Sequence, residues 1–182
     1  MYVPAREFAL SDGSICVMKS PTANDAKNMV NYLKEVARET PYMIRYIDEI
    51  EQSRREWPIK LKNASEQEGV LYLCVFFNQK IVANGTICHI STYRKVRHRA
   101  SISIAVLEEM WHKGIGTTLL HELVGYAKKM RYSQIELEVA CSNIRAISLY
   151  LGCGFQIYGR RNHAYKIDGI GLIDEYLMYR QL

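Results

Sequence analysis

A chain of 182 residues, 48% hydrophobic and 24% charged, can bury the core of one domain and is too evenly mixed for a disordered or fibrous protein. Its net charge of +5 suits a polyanionic small molecule but is too diffuse to argue for nucleic acid, and no apolar run nears the ~20 residues of a membrane span. Five cysteines, an odd number without a Cys-x-x-Cys pair, read as free thiols of a reducing cytoplasm, with neither disulfides nor a metal site.

Met1–Glu7 has no apolar segment behind its charge, so no secretory leader is expected. Phe8–Lys19 reads as a strand or hairpin turning at Asp12-Gly13. Pro21-Thr22 leads into a helix through about Arg38, capped by Thr22 and ended by Thr40-Pro41. A polar second helix is expected over Ile47–Leu61, with Pro58 as an interruption. Leu71–Phe77 and Ile81–Tyr93 are strands joined by Asn78-Gln79-Lys80. The basic run Arg94–Arg99 joins the second of these to a strand over residues 100–106, as a solvated loop or an anion patch.

Ser101-Ile102-Ser103-Ile104-Ala105-Val106 alternates with period two, whereas Ile115, Leu119, Leu123, Ala127 and Met130 trace a helix face. Between them lies Trp111-His112-Lys113-Gly114-Ile115-Gly116-Thr117. Two glycines at a helix start let a ligand approach unpaired N–H groups and the positive end of the helix dipole, which suits phosphate. The other reading is a glycine-rich helix start with no ligand. A second Gly-Ile-Gly, at residues 169–171, opens no helix pattern and reads as a hairpin turn. Ile135–Val139 alternates cleanly, a short helix covers about Asn143–Gly152, and strands near Phe155–Ile167 and Leu172–Tyr179 close the chain. The order is β-α-α-β-β-β-α-β-α-β-β.

In the short helix, positions 143, 146, 147 and 150 share one face. Asn143 and Tyr150 then present an amide and a phenol with Ala146 leaving room between them, or Asn143 simply caps the helix while Tyr150 packs.

Together the two constellations resemble the GCN5-related N-acetyltransferase (GNAT) family over nearly the whole chain. Gly114 and Gly116 match its Arg/Gln-x-x-Gly-x-Gly/Ala signature; Asn143, Ala146, Tyr150, Gly154 and Phe155 match its Asn-x-x-Ala-x-x-x-Tyr…Gly-Phe signature. Trp111 departs from the family, standing where Arg or Gln is usual and removing a side-chain donor that Lys113 could replace. The resemblance implies a single α/β domain over residues 1–182, with a mixed, largely antiparallel sheet splayed at the cofactor site by a bulge and flanked by helices. It implies acetyl-CoA as acyl donor, held by the backbone of Ile104, Ala105 and Val106, by the N–H groups from His112, Lys113, Gly114, Ile115 and Gly116 to Thr117, and by Asn143 with Ala146.

Tyr150 is then the general acid for the departing thiolate. The base is open between His98, reached through a water wire along Ser101 and Ser103, Glu138, and water itself. The expected reaction is acetyl transfer to a primary amine of a small molecule. The alternatives are a protein amine as acceptor, or a non-catalytic acyl-CoA-binding module, which would not need Tyr150. Tyr42, Met43, Tyr46 and Trp57 could line the acceptor pocket or pack helices on the sheet. The oligomeric state is not encoded in these motifs; a homodimer is compatible with them.

Overall fold

The computed structural model describes residues 1–182, and the expected opening hairpin forms as β1 (Arg6–Ala9) and β2 (Ile15–Lys19). In its turn the Asp12 carboxylate accepts the Ser14 N–H at 3.0 Å, and Gly13 takes a φ of 83°. A 3₁₀ turn at Ala23–Asp25 leads into α1 (Ala26–Glu39), whose Met29, Val30, Leu33 and Val36 are buried. Thr22 caps this start differently from expectation. Its hydroxyl donates to the Asp25 carboxylate, which also accepts the Thr22 backbone N–H at 2.8 Å.

The second helix is two: α2 (Ile47–Gln52) and α3 (Trp57–Glu66), parted by a 3₁₀ turn at Arg54–Glu56. Pro58 does not cause the break. It sits in the first turn of α3, where a missing N–H has no partner to lose. β3 (Val70–Phe77) and β4 (Lys80–His89) form a tight hairpin through Asn78 and Gln79, whose φ values of 48° and 65° match the right-handed strand twist. β4 stops at His89 rather than Tyr93, so the basic run lies mostly in a loop.

The remaining elements follow the expected order: β5 (Arg99–Val106), α4 (Ile115–Lys129), β6 (Gln134–Ala140), α5 (Ile144–Gly152), β7 (Gln156–Ile167) and β8 (Gly171–Gln181). Gly169, with φ 74°, lies in the β7–β8 turn, as its Asp-Gly chemistry requires. The eight strands make one sheet in the order β1-β2-β3-β4-β5-β6-β8-β7, antiparallel except at β5–β6, where α4 supplies the crossover. β3 is buried along nearly its whole length, as in a strand covered on both faces. Gly85 of β4 allows the close approach of α4: a Cβ there would stand 2.6 Å from a Leu123 methyl. No helix is long and apolar enough to cross a membrane.

Candidate active site

Parallel pairing between β5 and β6 is confined to three rungs, Arg99–Gln134, Ala100–Ile135 and Ser101–Glu136. Beyond them the strands part. The expected bulge at the gap is not the cause, because β5 and β6 stay in unbroken register with their other neighbours, from His89–Ala100 to Ala83–Val106 and from Gln134–Gln181 to Ala140–Glu175. The sheet's register shifts lie elsewhere, around Val82 between the Val75–Ala83 and Phe76–Ile81 pairs, and at two places in the β7–β8 pairing.

Strand alternation decides which β5 backbone groups face the gap. The Leu107 N–H donates to Val82 on the β4 side at 3.0 Å, so Ala105 turns the same way while Ile104 and Val106 turn toward β6. The Ala105 carbonyl accepts the buried Tyr32 hydroxyl at 2.8 Å. Of the three residues expected to offer backbone groups, Ala105 therefore drops out. The Val106 carbonyl already accepts the Trp111 indole N–H at 2.8 Å, leaving its second lone pair.

The gap opens into a cleft of about 1460 Å³. Ile104, Ala105, Val106, His112, Gly114, Ile115, Gly116, Thr117, Asn143, Ala146 and Tyr150 all line it; Lys113 does not. The Lys113 ammonium lies 3.3 Å from the Asp12 carboxylate instead, so it is not the free charge expected to replace the missing arginine. The first bond of α4 runs from the Thr118 N–H to the Gly114 carbonyl, so the N–H groups of Ile115, Gly116 and Thr117 precede the helical ladder. Gly114 caps the helix with φ 85° in open space. Gly116 has a second use: a Cβ there would lie 3.1 Å from a Leu149 methyl, so the glycine brings α4 and α5 together as well as clearing the cleft.

Asn143 caps α5, its side-chain oxygen accepting the Ala146 N–H at 3.2 Å, which leaves its amide NH₂ free to donate. Capping and ligand contact are thus compatible. Tyr150 is buried, its ring tilted on Phe155 at 5.8 Å. Its hydroxyl has no protein partner, yet only the Trp57 indole N–H is both fully covered and unpartnered, so the phenol oxygen keeps open surface in the cleft it lines. Burial pushes its pKa up, and the phenol holds its proton at neutral pH.

The cleft continues along the other half of β5. Ser101 and Ser103 line it, with the Ser103 and Thr86 hydroxyls 2.7 Å apart. His98 does not, which removes the imidazole from the proposed water wire. Three carboxylates do line it. Glu136 is held by Arg99 through two hydrogen bonds, and that pairing keeps its pKa low. Glu39 is raised by burial while accepting the Glu108 N–H at 2.9 Å, which ties the end of α1 to the end of β5. Glu138 has a single side-chain partner, Arg161 at 3.1 Å.

Tyr42, Met43 and Trp57 line the cleft as expected of an acceptor pocket; Tyr46 does not. The Tyr46 hydroxyl accepts the Asp168 N–H at 3.1 Å and joins the chain before α2 to the β7–β8 turn. Arg145 and Glu39 are lining residues that sequence patterns did not single out. Arg145 stands in the first turn of α5, where only its distance to Trp111 in space reveals it.

The profile of the acetyltransferase (GNAT) family matches residues 30–155. The [ribosomal protein bS18]-alanine N-acetyltransferase of Escherichia coli (strain K12) is 31% identical over 122 residues, covering 66% of this chain and 80% of its own. A GNAT-family acetyltransferase from Streptococcus pneumoniae superimposes with a TM-score of 0.85 at 27% identity, over 92% of this chain and 99% of that one. A phosphinothricin acetyltransferase from Sinorhizobium meliloti, solved in complex with AcCoA, shares the fold at 20% identity with a TM-score of 0.76, over 92% and 88% of the two chains.

Proposed function

Since the chain belongs to the GNAT family and is an acetyl-CoA-dependent N-acetyltransferase, we propose how its cleft divides the work. The whole of residues 1–182 acts as one catalytic domain, working in a cytoplasm that keeps its five cysteines as free thiols. Acetyl-CoA supplies an acetyl group activated as a thioester. The residues that would hold it are those of the β5 edge and the two helix starts. Ile104 and Val106 offer unpaired strand edge to the pantetheine arm, as an added strand would use it. The N–H groups of Ile115, Gly116 and Thr117 face the diphosphate, with His112 and Gly114 shaping the turn before them. The free Asn143 amide donates beside the thioester, next to the space above Ala146.

Two proton transfers remain for side chains. An ordinary primary amine, with a pKa near ~10.4, is about one part in a thousand neutral at pH 7, a cost of roughly 4–5 kcal/mol. Glu138 is the carboxylate best placed to take that proton, directly or through water along Ser101 and Ser103, because it lies on β6, one of the two strands that part. Glu136, by contrast, is held by Arg99 and Gln134, and Glu39, at the end of α1, is tied to the Glu108 N–H. Tyr150 is the acid. A phenol raised above 10 does not give its proton freely to a free thiolate near ~8.5, so its contribution is a hydrogen bond that shortens into transfer as charge develops on sulfur.

One observation carries this reading: the loss of β5–β6 pairing after Ser101–Glu136 opens a single cleft onto which both helix starts and Tyr150 converge. The acceptor we favour is a primary amine on a small molecule, because the Tyr46–Asp168 contact draws the α1–α2 connection toward the terminal hairpin. A protein α-amine is the second reading, favoured by the likeness to the bS18-alanine enzyme. An acceptor panel of small amines and alanine-starting peptides, read by thiol release from acetyl-CoA, separates the two. Activity with the peptides alone would overturn the small-molecule reading.

A further inference from the structure

We infer that Arg145, stacked on Trp111, supplies the diphosphate of acetyl-CoA with a charged donor in place of the Arg or Gln donor that the family's signature normally places at position 111. This rests on the proposal that the start of α4 receives the diphosphate.

Trp111 occupies the signature position and turns its indole N–H inward to the Val106 carbonyl at 2.8 Å. That fixes the ring as a platform at the mouth of the gap. The Arg145 guanidinium carbon lies 3.5 Å from the ring centroid, well inside the range of a cation–π contact. Both residues line the same cleft as Gly114, Gly116 and Thr117.

The cation beside the start of α4 is already paired. Lys113 pairs with Asp12, whereas Arg145 makes no ion pair or hydrogen bond with any residue of the protein. Its planar face is satisfied by the indole and its five N–H donors are all free. An arginine so held has lost much of its freedom before any ligand arrives, and its edge suits the paired oxygens of a diphosphate. A tryptophan and an arginine on different elements thus do together what one side chain does in the signature. The departure at 111 and the arginine two residues after Asn143 form one compensated pair.

The test measures equilibrium binding of acetyl-CoA and of its 3′-dephospho form to the intact protein and to Arg145→Ala, Arg145→Gln and Arg145→Lys. The alanine and glutamine variants are expected to lose about tenfold or more in affinity, the order set by a charge-assisted hydrogen bond, and to lose it equally for both ligands. Lysine should recover part of the loss. Arg145 is exposed, so these variants keep the fold, which their melting curves check directly. Unchanged affinity in Arg145→Ala would overturn the proposal. So would full affinity in Arg145→Gln, which would mean stacking rather than charge, or a loss confined to acetyl-CoA, which would mean the 3′-phosphate. If the unaltered protein binds neither ligand, the proposed diphosphate site fails instead, independently of Arg145.

Discussion

Arg99 and Glu136 are joined by two hydrogen bonds, of 2.5 and 2.7 Å, across the rungs where β5 and β6 last pair. The Gln134 amide adds a third bond to the same carboxylate at 2.7 Å. The clamp holds the strands together at one end, so that the separation beyond Ser101 becomes a defined opening rather than a frayed edge.

Glu136→Gln should therefore lower stability by about 1 kcal/mol, a modest figure because Arg99 is a third exposed. Arg99 keeps the Glu136 carboxyl below its ordinary 4.5. A carboxyl depressed in the folded state adds stability that is full above its unfolded value and lost as pH falls through the lowered folded one. Urea midpoints should thus differ between the two proteins at neutral pH and converge as acid takes the pH below the lowered folded value. A constant difference across that range would contradict the pairing.

Gly116→Val should weaken acetyl-CoA binding by tenfold or more and cost about 1 kcal/mol of stability, since the new side chain meets Leu149 and fills the start of the cleft. Calorimetric titration alongside a melting curve separates the two effects. Undiminished affinity would remove Gly116 from the diphosphate site.

Acetyl-CoA itself should stabilise the fold. At ~100 times its dissociation constant the gain is ~2.7 kcal/mol, read as a concentration-dependent rise in melting temperature. A melting temperature indifferent to ligand would count against the cleft as the binding site.

Much of this arrangement is legible in the residues. Period-two alternation in 101–106 and 135–139 marks the two strands that part, and the glycines at 114 and 116 mark the helix start between them. Asn143, Ala146 and Tyr150 fall on one face by helical spacing alone. What escapes the sequence depends on partners far along the chain. The polar stretch from Ile47 has too weak a period to show its break at Ser53–Glu56, so Pro58 attracts the blame. Pairing that stops at Ser101–Glu136, without a bulge, is a property of two strands and of neither alone. Lys113 looks free until the β1–β2 turn brings Asp12 to it, and Arg145 looks like ordinary helix surface until it meets Trp111.

Glu138→Gln should reduce kcat by about 10²–10³-fold if Glu138 receives the amine proton, and the loss should shrink as rising pH frees the amine without help. The pH profile of kcat/KM checks this. A uniform small loss at every pH would leave Glu138 as the partner of Arg161 and nothing more.

If Tyr150 donates toward the leaving sulfur from within the cleft, as proposed, Tyr150→Phe removes that donor and nothing else. The phenylalanine ring keeps the packing on Phe155 and removes only a hydroxyl that no protein group uses. With an identified acceptor, the variant should keep an acetyl-CoA dissociation constant within about twofold of the unaltered protein, with kcat and kcat/KM both lower by ~10²–10⁴-fold. Near-normal turnover in a protein that binds acetyl-CoA as before would contradict that role.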